Sequence, residues 1–454
     1  MGLTADIGKF LAGLRYEQIP AEAVPTVSRG FTDCIGVLLA GLPEPVTSIV
    51  AKSVGYTDPI ATIADFAPSK ISAPDMALIY GTAAHALDYD DTGLTGHPSA
   101  ALVPAIIAEA QEIGAGGKAM IAAYVAGYEI WAEFAAREQD SLHQKGWHPS
   151  AVHGAVAAAG ASAVLRKLDA ETASRTIGIA ASLASGLVSN FGSMTKPFHL
   201  GHSAQSGLKA TRLSQAGLTA SPDAIEHDLG FLRAVSPKGN VDTRSEAQFG
   251  KLWRIVKSGI NVKLYPMCFG THRILDAMID VCTDHQIKAA DIRQVDVELA
   301  ENSVKILRNK KPQTALEAKF SAEFAIAVAA IAGKCSDEEV STTFVRRPDV
   351  QEFFEKVLIH PITDKDPEEP IRSPFDRVSL TLVNGEKLVS KDVKHPRGHF
   401  ARGVERDVLW RKFSDCAAAA VDRERALRMF DALQDLPNLA GIGDLRRKLA
   451  PAAE

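Results

Sequence analysis

The densest group of side chains able to exchange protons lies in HALDYDDTGLTGHPS, a stretch that begins at His85. Helical spacing predicts that His85 and Asp88 share one face at the end of an apolar helix. The loop that follows contributes Asp90, Asp91, Thr92 and His97. Such a group could bind a divalent metal, exchange protons with a substrate, or simply join a helix to its loop through hydrogen bonds to the backbone. The stretch by itself leaves these three alternatives open.

The tripeptide His-Pro-Ser occurs twice, at His97 and at His148. Proline is favoured at the first position of a helix, so each histidine is predicted at or next to an N-cap. The helix dipole and the unpaired N–H groups there disfavour imidazolium and attract anions. A histidine could also merely tolerate the cap position with its ring on the surface. If the two segments act together, both rings should face one cleft.

Two further stretches combine a lysine with histidines. In SMTKPFHLGHSAQSG, Lys196 precedes a proline and is predicted to be extended in a Gly-rich turn, with His202 beginning the next helix. The stretch NVKLYPMCFGTHRIL lies near a predicted domain junction, where substrate sites are common. It contributes Lys263, Tyr265, His272 and Arg273. Together the stretches contain no obvious nucleophile–base pair, and they favour a site that holds a polycarboxylate and moves protons.

Composition narrows the possible partners. With 46% hydrophobic and 23% charged residues, the 454-residue chain is typical of a globular protein of at least two domains. A formal net charge of -5 argues against nucleic acid as a main partner. The five cysteines lack metal-ligand spacing, and we find no targeting signal and no stretch apolar enough to span a membrane, which predicts a cytoplasmic protein.

Known nucleotide-binding motifs have little support. The stretch GAGGKA at 114–119 lacks both the first glycine and the final Ser or Thr of a phosphate loop, so it is predicted to link two helices. No G-x-G-x-x-G follows a predicted strand.

Hydrophobic periodicity predicts a mainly α protein. Most of the first 260 residues have helical periodicity, beginning with a helix that Thr4 could cap. Strand-like alternation appears in IRQVDVELA and in FDRVSLTLVNGEKLVSKDV, where Asn384-Gly385 predicts a tight hairpin, and the helical TALEAKFSAEFAIAVAAIAG lies between them. We therefore predict a large all-helical domain at 1–265, completed by 404–454, and a smaller α+β domain at 266–403.

The order of these motifs resembles that of the MmgE/PrpD family, which contains 2-methylcitrate dehydratase, cis-aconitate decarboxylase and iminodisuccinate epimerase. The resemblance is carried by HALDYDDT, the two HPS segments, MTKPFHLGHSAQSG, NVKLYPMC and LEAKFSAEF, and it spans nearly the whole chain. It implies that the α+β domain is a lid, that the protein is a homodimer, and that neither a metal nor an organic cofactor is needed.

The resemblance also implies a set of site residues. Position by position, the predicted catalytic residues are Asp88, His97, His148, Lys196 and Lys263. Predicted substrate contacts are Thr92 from the same pattern and, from the quoted motifs, Tyr89, His153, His199 and His272. One position departs from the family pattern, because Phe324 stands where many members carry tyrosine, and this removes a possible proton donor.

The activity that this set implies is proton removal from, or delivery to, a carbon α to a carboxylate of a small di- or tricarboxylate. His97 or His148 would be the base, Asp88 would orient a partner, and the lysines would hold carboxylates. A hydro-lyase of the 2-methylcitrate dehydratase type is the first prediction, and an epimerase of an iminodisuccinate-like aminopolycarboxylate is the second. A catalytically inactive helical binding or scaffold protein is the alternative of another class.

Overall fold

A computed structural model describes residues 2–58, 60–66, 70–367, 369 and 372–443. It divides the chain into two compact units. The first unit contains residues up to 190, residues 194–262, and the chain from 404 onward. The second contains residues 191–193 and 263–403. The predicted fold class, mainly α with a smaller α+β part, is confirmed.

The α-helices of the described residues are numbered in chain order. Those of the first unit are α1 (Leu3–Gly13), α2 (Ala23–Gly41), α3 (Pro45–Ser53), α4 (Ala73–His85), α5 (Pro98–Ile113), α6 (Gly117–Arg137), α7 (Pro149–Leu165), α8 (Ala170–Leu183), α9 (Thr195–Gln215), α10 (Phe231–Val235) and α11 (Arg254–Ser258), and, after the second unit, α18 (Arg406–Ala417) and α19 (Arg423–Gln434). Those of the second unit are α12 (His272–Asp284), α13 (Glu301–Ile306), α14 (Ala315–Ala318), α15 (Ala322–Ala332), α16 (Thr342–Val345) and α17 (Pro348–Phe353). The strands, all in the second unit, are β1 (Ile292–Ala300), β2 (Val357–Ile362), β3 (Arg377–Leu382) and β4 (Lys387–Val389).

The first helix does not begin as predicted. Thr4 lies inside α1, whose N-cap is Gly2, so the prediction that Thr4 caps this helix is wrong. Its hydroxyl donates to Glu226 (2.5 Å) and accepts from the backbone N–H of Ile225 (3.1 Å). The same Glu226 carboxylate accepts the Thr4 backbone N–H at 3.0 Å. A distant carboxylate therefore takes the capping role that the local sequence had suggested for Thr4.

Small residues let three central helices approach closely. A side chain at Gly81 of α4 would meet the backbone of Gly201 in α9 at 2.7 Å, and one at Gly207 would meet the backbone of Ala159 in α7 at 2.5 Å. Helices α4, α7 and α9 can therefore pack almost backbone to backbone. This packing brings the C-terminus of α4 close to the N-terminus of α9.

The C-terminal helices pack against α2 of the first unit. Lys412 of α18 is buried there, with its Nζ 2.5 Å from Asp33 Oδ1 of α2. Its ammonium also donates to the backbone carbonyl of Tyr89 at 2.7 Å and lies 4.1 Å from the centre of the Tyr89 ring. The loop after α4 is thus held by a residue more than 300 positions later in the chain.

No single helix of the described residues combines the length and hydropathy of a membrane span. Helices α2 and α3 reach those values only when taken together, and the chain bends by 90° at the break between them.

The second unit is built on a four-stranded sheet in the order β2-β1-β3-β4. Strand β1 pairs in parallel with β2 and antiparallel with β3, and β3 pairs antiparallel with β4. The predicted hairpin at Asn384-Gly385 is confirmed, but its loop has three residues, 383–385, and not the two that Asn-Gly predicts, because Leu382 pairs with Glu386. Gly385 ends this loop with a φ of 90°. Helices α12 and α15 pack with this sheet around one apolar core.

The stretch predicted as one helix between the strands is broken. Helix α14 ends at Ala318, and Ser321 begins α15 by accepting the backbone N–H of Phe324 at 3.0 Å. Phe324 is fully buried in the apolar core of the second unit, 6.4 Å from the ring of Phe344. The residue that replaces the family tyrosine therefore contributes to packing.

Candidate active site

Both histidines of the His-Pro-Ser segments are N-caps, as predicted. His97 precedes α5 and His148 precedes α7, with proline at the first helical position in each case. Neither imidazole caps its own helix, so both rings remain available for other contacts. The two segments also touch directly, because Ser150 Oγ of the second accepts the backbone N–H of His97 at 3.1 Å.

The prediction for Lys196 is wrong in conformation. Lys196 is not in an extended turn but in the first turn of α9, which begins at Thr195, and His202 lies well inside this helix. Pro197 does not interrupt α9, because the first N–H groups of a helix have no intrahelical partner and a missing one costs little. As a result the side chain of Lys196, 4% exposed, is held at a helix N-terminus.

The prediction for Asp88 needs a similar correction. Helix α4 ends at His85, and Asp88 has a φ of 51°, in the left-handed region. His85 and Asp88 therefore meet through a turn and not through helical spacing. A non-glycine residue in the left-handed region is strained and persists only where surrounding contacts hold it. Such residues are concentrated at functional sites.

A chain of buried polar groups connects the end of α4 to the start of α9. Nδ1 of His85 lies 2.7 Å from Asp90 Oδ1, and Nε2 of the same ring lies 2.7 Å from Lys196 Nζ. The Lys196 ammonium also donates to Asp88 Oδ1 at 3.0 Å. Burial lowers the pKa of His85 to about 3, so its ring is neutral and its Nε2 can accept from the ammonium.

His97 extends this chain. Its Nδ1 lies 2.9 Å from Asp90 Oδ2 and 3.1 Å from the backbone carbonyl of Asp91, and its Nε2 lies 3.7 Å from Asp88 Oδ1. Its side chain is 12% exposed, more than the groups that it contacts. Its ring centre is 4.4 Å from that of His85 and 6.3 Å from that of His148. The rings of the two His-Pro-Ser segments therefore lie close together, and whether they face one substrate cleft stays a prediction.

His148 has a different environment. Its Nδ1 lies 3.2 Å from Nδ1 of His199, which is one turn after Lys196 in α9. Burial, together with the Lys196 ammonium, holds the pKa of His148 well below its usual value and lowers that of His199 to about 4. Both rings are neutral near pH 7, and three helix N-termini, those of α5, α7 and α9, carry side chains into one cluster.

The loop residues Thr92 and Tyr89 are placed differently. The backbone of Thr92 pairs with that of Asn261, and its hydroxyl oxygen is buried with no hydrogen-bond partner among the described residues. Tyr89 packs beside the apolar contact between α2 and α18 and binds Lys412 through its carbonyl. Tyr89 thus anchors the loop, and the predicted substrate contacts of Thr92 and Tyr89 stay predictions.

His153, one helical turn beyond His148, lies among aromatic rings. It is buried between Trp131, Phe134 and Phe231, with ring centres 5.7 to 6.2 Å away. Burial alone lowers its pKa to about 3. Its contacts are those of a core residue, and its predicted role in substrate binding stays a prediction.

Two predicted residues belong to the second unit. Lys263 is its first residue after 191–193 and is fully buried. His272 begins α12, buried, with its ring 5.1 Å from that of Tyr265 and 4.8 Å from that of Phe269. The roles assigned to both remain predictions.

Among the described residues, three groups of side chains bring potential metal ligands within 4.8 Å of one another. They are His85 with His97 and His148, then His85 with Asp88, Asp90 and His97, and in the second unit Glu369 with His395 and His399. In both groups of the first unit His85 Nε2 is already bonded to the Lys196 ammonium, which would have to move for a cation to bind. In the third group Arg372 forms an ion pair with Glu369 at 2.5 Å.

Sequence reasoning did not place His85, Asp90 or His143 among the site residues. His85 and Asp90 belong to the stretch HALDYDDTGLTGHPS, and only their contacts in the folded protein distinguish them from Asp91. His143 lies five residues before His148, and burial, with the nearby charges of His97 and Lys196, lowers its pKa to about 4. A histidine shortly before a predicted N-cap histidine is a signal that could have found it.

Comparisons with known proteins cover both units. Residues 5–244 match the MmgE/PrpD N-terminal domain, and residues 265–436 match the MmgE/PrpD C-terminal domain. The chain is 22% identical to cis-aconitate decarboxylase of Mus musculus over 461 residues, covering 98% of this chain and 93% of the relative. It is 23% identical to cis-aconitate decarboxylase of Aspergillus terreus over 470 residues, covering 98% and 95%.

Proposed function

Because the chain belongs to the MmgE/PrpD family, we propose that it is a lyase that acts on a small di- or tricarboxylate by moving a proton α to a carboxylate. The observation that carries this proposal is the cluster at the N-termini of α5, α7 and α9. It combines one ammonium, Lys196, with neutral imidazoles in a buried setting, where fixed charges and dipoles act strongly.

The groups divide into two roles. The Lys196 ammonium and the helix N-termini would hold a substrate carboxylate and stabilise the negative charge that develops when the α-proton leaves. The Thr92 hydroxyl, buried without a partner among the described residues, would hydrogen-bond substrate. His97, whose Nε2 faces away from Asp90, is the first candidate for the base.

The reaction is proposed as dehydration of the 2-methylcitrate type. Two observations favour other outcomes of the same proton transfer. The relatives described above are cis-aconitate decarboxylases, which favours loss of CO₂. His97 and His148 come from different helices with ring centres 6.3 Å apart, and two such groups could serve the two faces of an epimerised carbon.

One experiment separates these outcomes. The purified protein is incubated in D₂O with 2-methylcitrate, citrate, cis-aconitate and iminodisuccinate, and products are followed by NMR and by ultraviolet absorbance. A new alkene with all carbons retained indicates dehydration, loss of CO₂ indicates decarboxylation, and α-deuterium in an unchanged skeleton indicates epimerisation.

The control is Lys196→Met, in which the proposed carboxylate contact is removed. We expect wild type, but not this variant, to be stabilised thermally by the acid that it converts. If no acid is converted and none raises the melting temperature of wild type, the proposal is overturned in favour of an inactive helical protein.

A further inference from the structure

We propose that Asp90 is a positioning residue of this site: its single buried carboxylate orients His85 and His97 at once and, through His85, the ammonium of Lys196. This inference rests on the proposed function for its effect on turnover. Its geometric part can be tested without any substrate.

The orientation of His85 follows from its two neighbours. Nδ1 faces Asp90 Oδ1 at 2.7 Å, and an ionised carboxylate only accepts hydrogen bonds. Nε2 faces Lys196 Nζ at 2.7 Å, and an ammonium only donates them. The one neutral arrangement that satisfies both contacts has the proton on Nδ1 and a lone pair on Nε2.

The orientation of His97 follows from the other oxygen of the same carboxylate. Nδ1 of His97 is within hydrogen-bond distance of the Asp91 carbonyl, which can only accept, at 3.1 Å, and the same nitrogen lies 2.9 Å from Asp90 Oδ2 in an ion-pair contact. Its proton therefore lies on Nδ1 when the ring is neutral, and Nε2 presents a lone pair on the side of Asp88. In a hydrolase triad a buried aspartate selects the tautomer of one histidine in this way; here one aspartate does so for two.

Asp91 shows that burial alone does not give this property. Both aspartates are fully buried and adjacent in sequence. Burial would raise the pKa of Asp90, but His85 and His97 hold it well below its usual value. Burial and the neighbouring Asp33 raise the pKa of Asp91 well above its usual value, and its side chain accepts the backbone N–H of Ser99 at 3.3 Å. The pKa values of the two adjacent carboxyl groups are therefore shifted in opposite directions, that of Asp90 downward and that of Asp91 upward.

The matched variants are Asp90→Asn and Asp91→Asn. An amide at 90 can donate to Nδ1 of either ring. It therefore favours the tautomer with the proton on Nε2, in which Nε2 donates a hydrogen bond instead of accepting one. We expect kcat of Asp90→Asn to fall by about 10²- to 10⁴-fold on the identified acid, with KM changed less than about tenfold. The oxygen of an amide at 91 can still accept the backbone N–H of Ser99, so we expect Asp91→Asn to stay within about threefold of wild type.

If Asp90 had only a structural role, replacing it would not change the tautomers of His85 and His97. The tautomers are therefore the readout that tests this proposal. Nitrogen-15 NMR of histidine-labelled protein distinguishes Nδ1–H from Nε2–H, and the signals of His85 and His97 are assigned by their loss in His85→Gln and His97→Gln. We expect both rings as Nδ1–H in wild type and Asp91→Asn, and a shift of His85 toward Nε2–H in Asp90→Asn.

The proposal is overturned if His85 carries its proton on Nε2 in wild type, or if Asp90→Asn leaves both tautomers and kcat unchanged. The wild-type spectrum decides the first point even if Asp90→Asn does not fold. Failure of the proposed function gives a different result, since wild type would then convert none of the acids while both rings still showed Nδ1–H.

Discussion

The two His-Pro-Ser segments have the same local structure and opposite electrostatic surroundings. Both place histidine at an N-cap and proline at the first helical position. The His97 ring then meets the carboxylates of Asp88 and Asp90, whereas the His148 ring meets another imidazole, that of His199. An identical tripeptide can therefore start two helices in the same way while the tertiary environment assigns its histidines different chemistry.

The largest expected effect is a difference in activity between the variants of His97 and of His148. His97→Gln should lower kcat/KM by about 10²- to 10⁴-fold, because it removes the ring that Asp90 orients as a base. His148→Gln should cost about 10- to 100-fold, because glutamine can keep a hydrogen bond to His199.

The measurement is steady-state kinetics on the acid identified in D₂O, with circular dichroism as the control for folding. If His148→Gln is the more damaging of the two, the roles assigned to the segments are reversed.

Lys412 of α18 holds the loop that leads from α4 to His97, and a substitution can remove this contact. Lys412→Met removes the ammonium that holds Asp33 and the Tyr89 carbonyl, and it leaves a buried carboxyl group without that partner. We expect the free energy of unfolding to fall by about 3 to 5 kcal/mol, as for other broken buried pairs. Urea denaturation measures this.

Lys412→Arg serves as the conservative control for that experiment and should recover part of the loss. A change below about 1 kcal/mol in Lys412→Met would mean that the loop is held by other contacts.

His148, in the second segment, should contribute to the pH dependence of the free energy of unfolding. The folded-state pKa of His148 lies well below that of an unfolded histidine, so its contribution is complete above about pH 6.5 and is lost as the pH falls below that value. From this group alone, the free energy of unfolding of wild type should fall by about 1.4 kcal/mol for each pH unit between about pH 6 and 5. His148→Gln lacks this contribution, so its free energy of unfolding should fall less steeply.

Denaturation at several pH values measures this slope. His153→Gln should flatten the slope similarly, because burial lowers the pKa of His153 to about 3 in an aromatic pocket away from Lys196. An unchanged slope in His148→Gln would show that the folded protein protonates this ring.

The smallest expected effect concerns the direct link between the segments. Ser150→Ala removes the acceptor of the His97 backbone N–H and should destabilise the protein by about 1 to 2 kcal/mol. Ser99→Ala, which removes the hydrogen bond to the Tyr124 hydroxyl, is the matched change in the first segment. Thermal unfolding compares the two variants. Of the two, Ser150→Ala should also lower kcat, because Ser150 Oγ, and not Ser99 Oγ, accepts the backbone N–H of His97.

Several features follow from the sequence because their physics is local. Proline has a fixed φ and no N–H, so the starts of α5 and α7 could be placed at His-Pro-Ser. Asn-Gly favours a tight turn, so the hairpin between β3 and β4 could be predicted, although its loop has three residues and not two. The mainly α fold class and the family were also evident from periodicity and from the order of the motifs.

Other features depend on partners far away in the chain. Lys196 and His85 are 111 positions apart and meet because glycines let α4 and α9 pack closely. Asp88 takes a left-handed conformation, and Thr4 loses its capping role to Glu226, through contacts that no local pattern records. The pKa values of Asp90 and Asp91, identical in type and adjacent in sequence, shift in opposite directions because Asp90 meets two imidazoles whereas Asp91 is buried near a second carboxyl group. The sequence determined which groups could do chemistry, and only tertiary packing decided which atoms face each other, because desolvation and charge act through space.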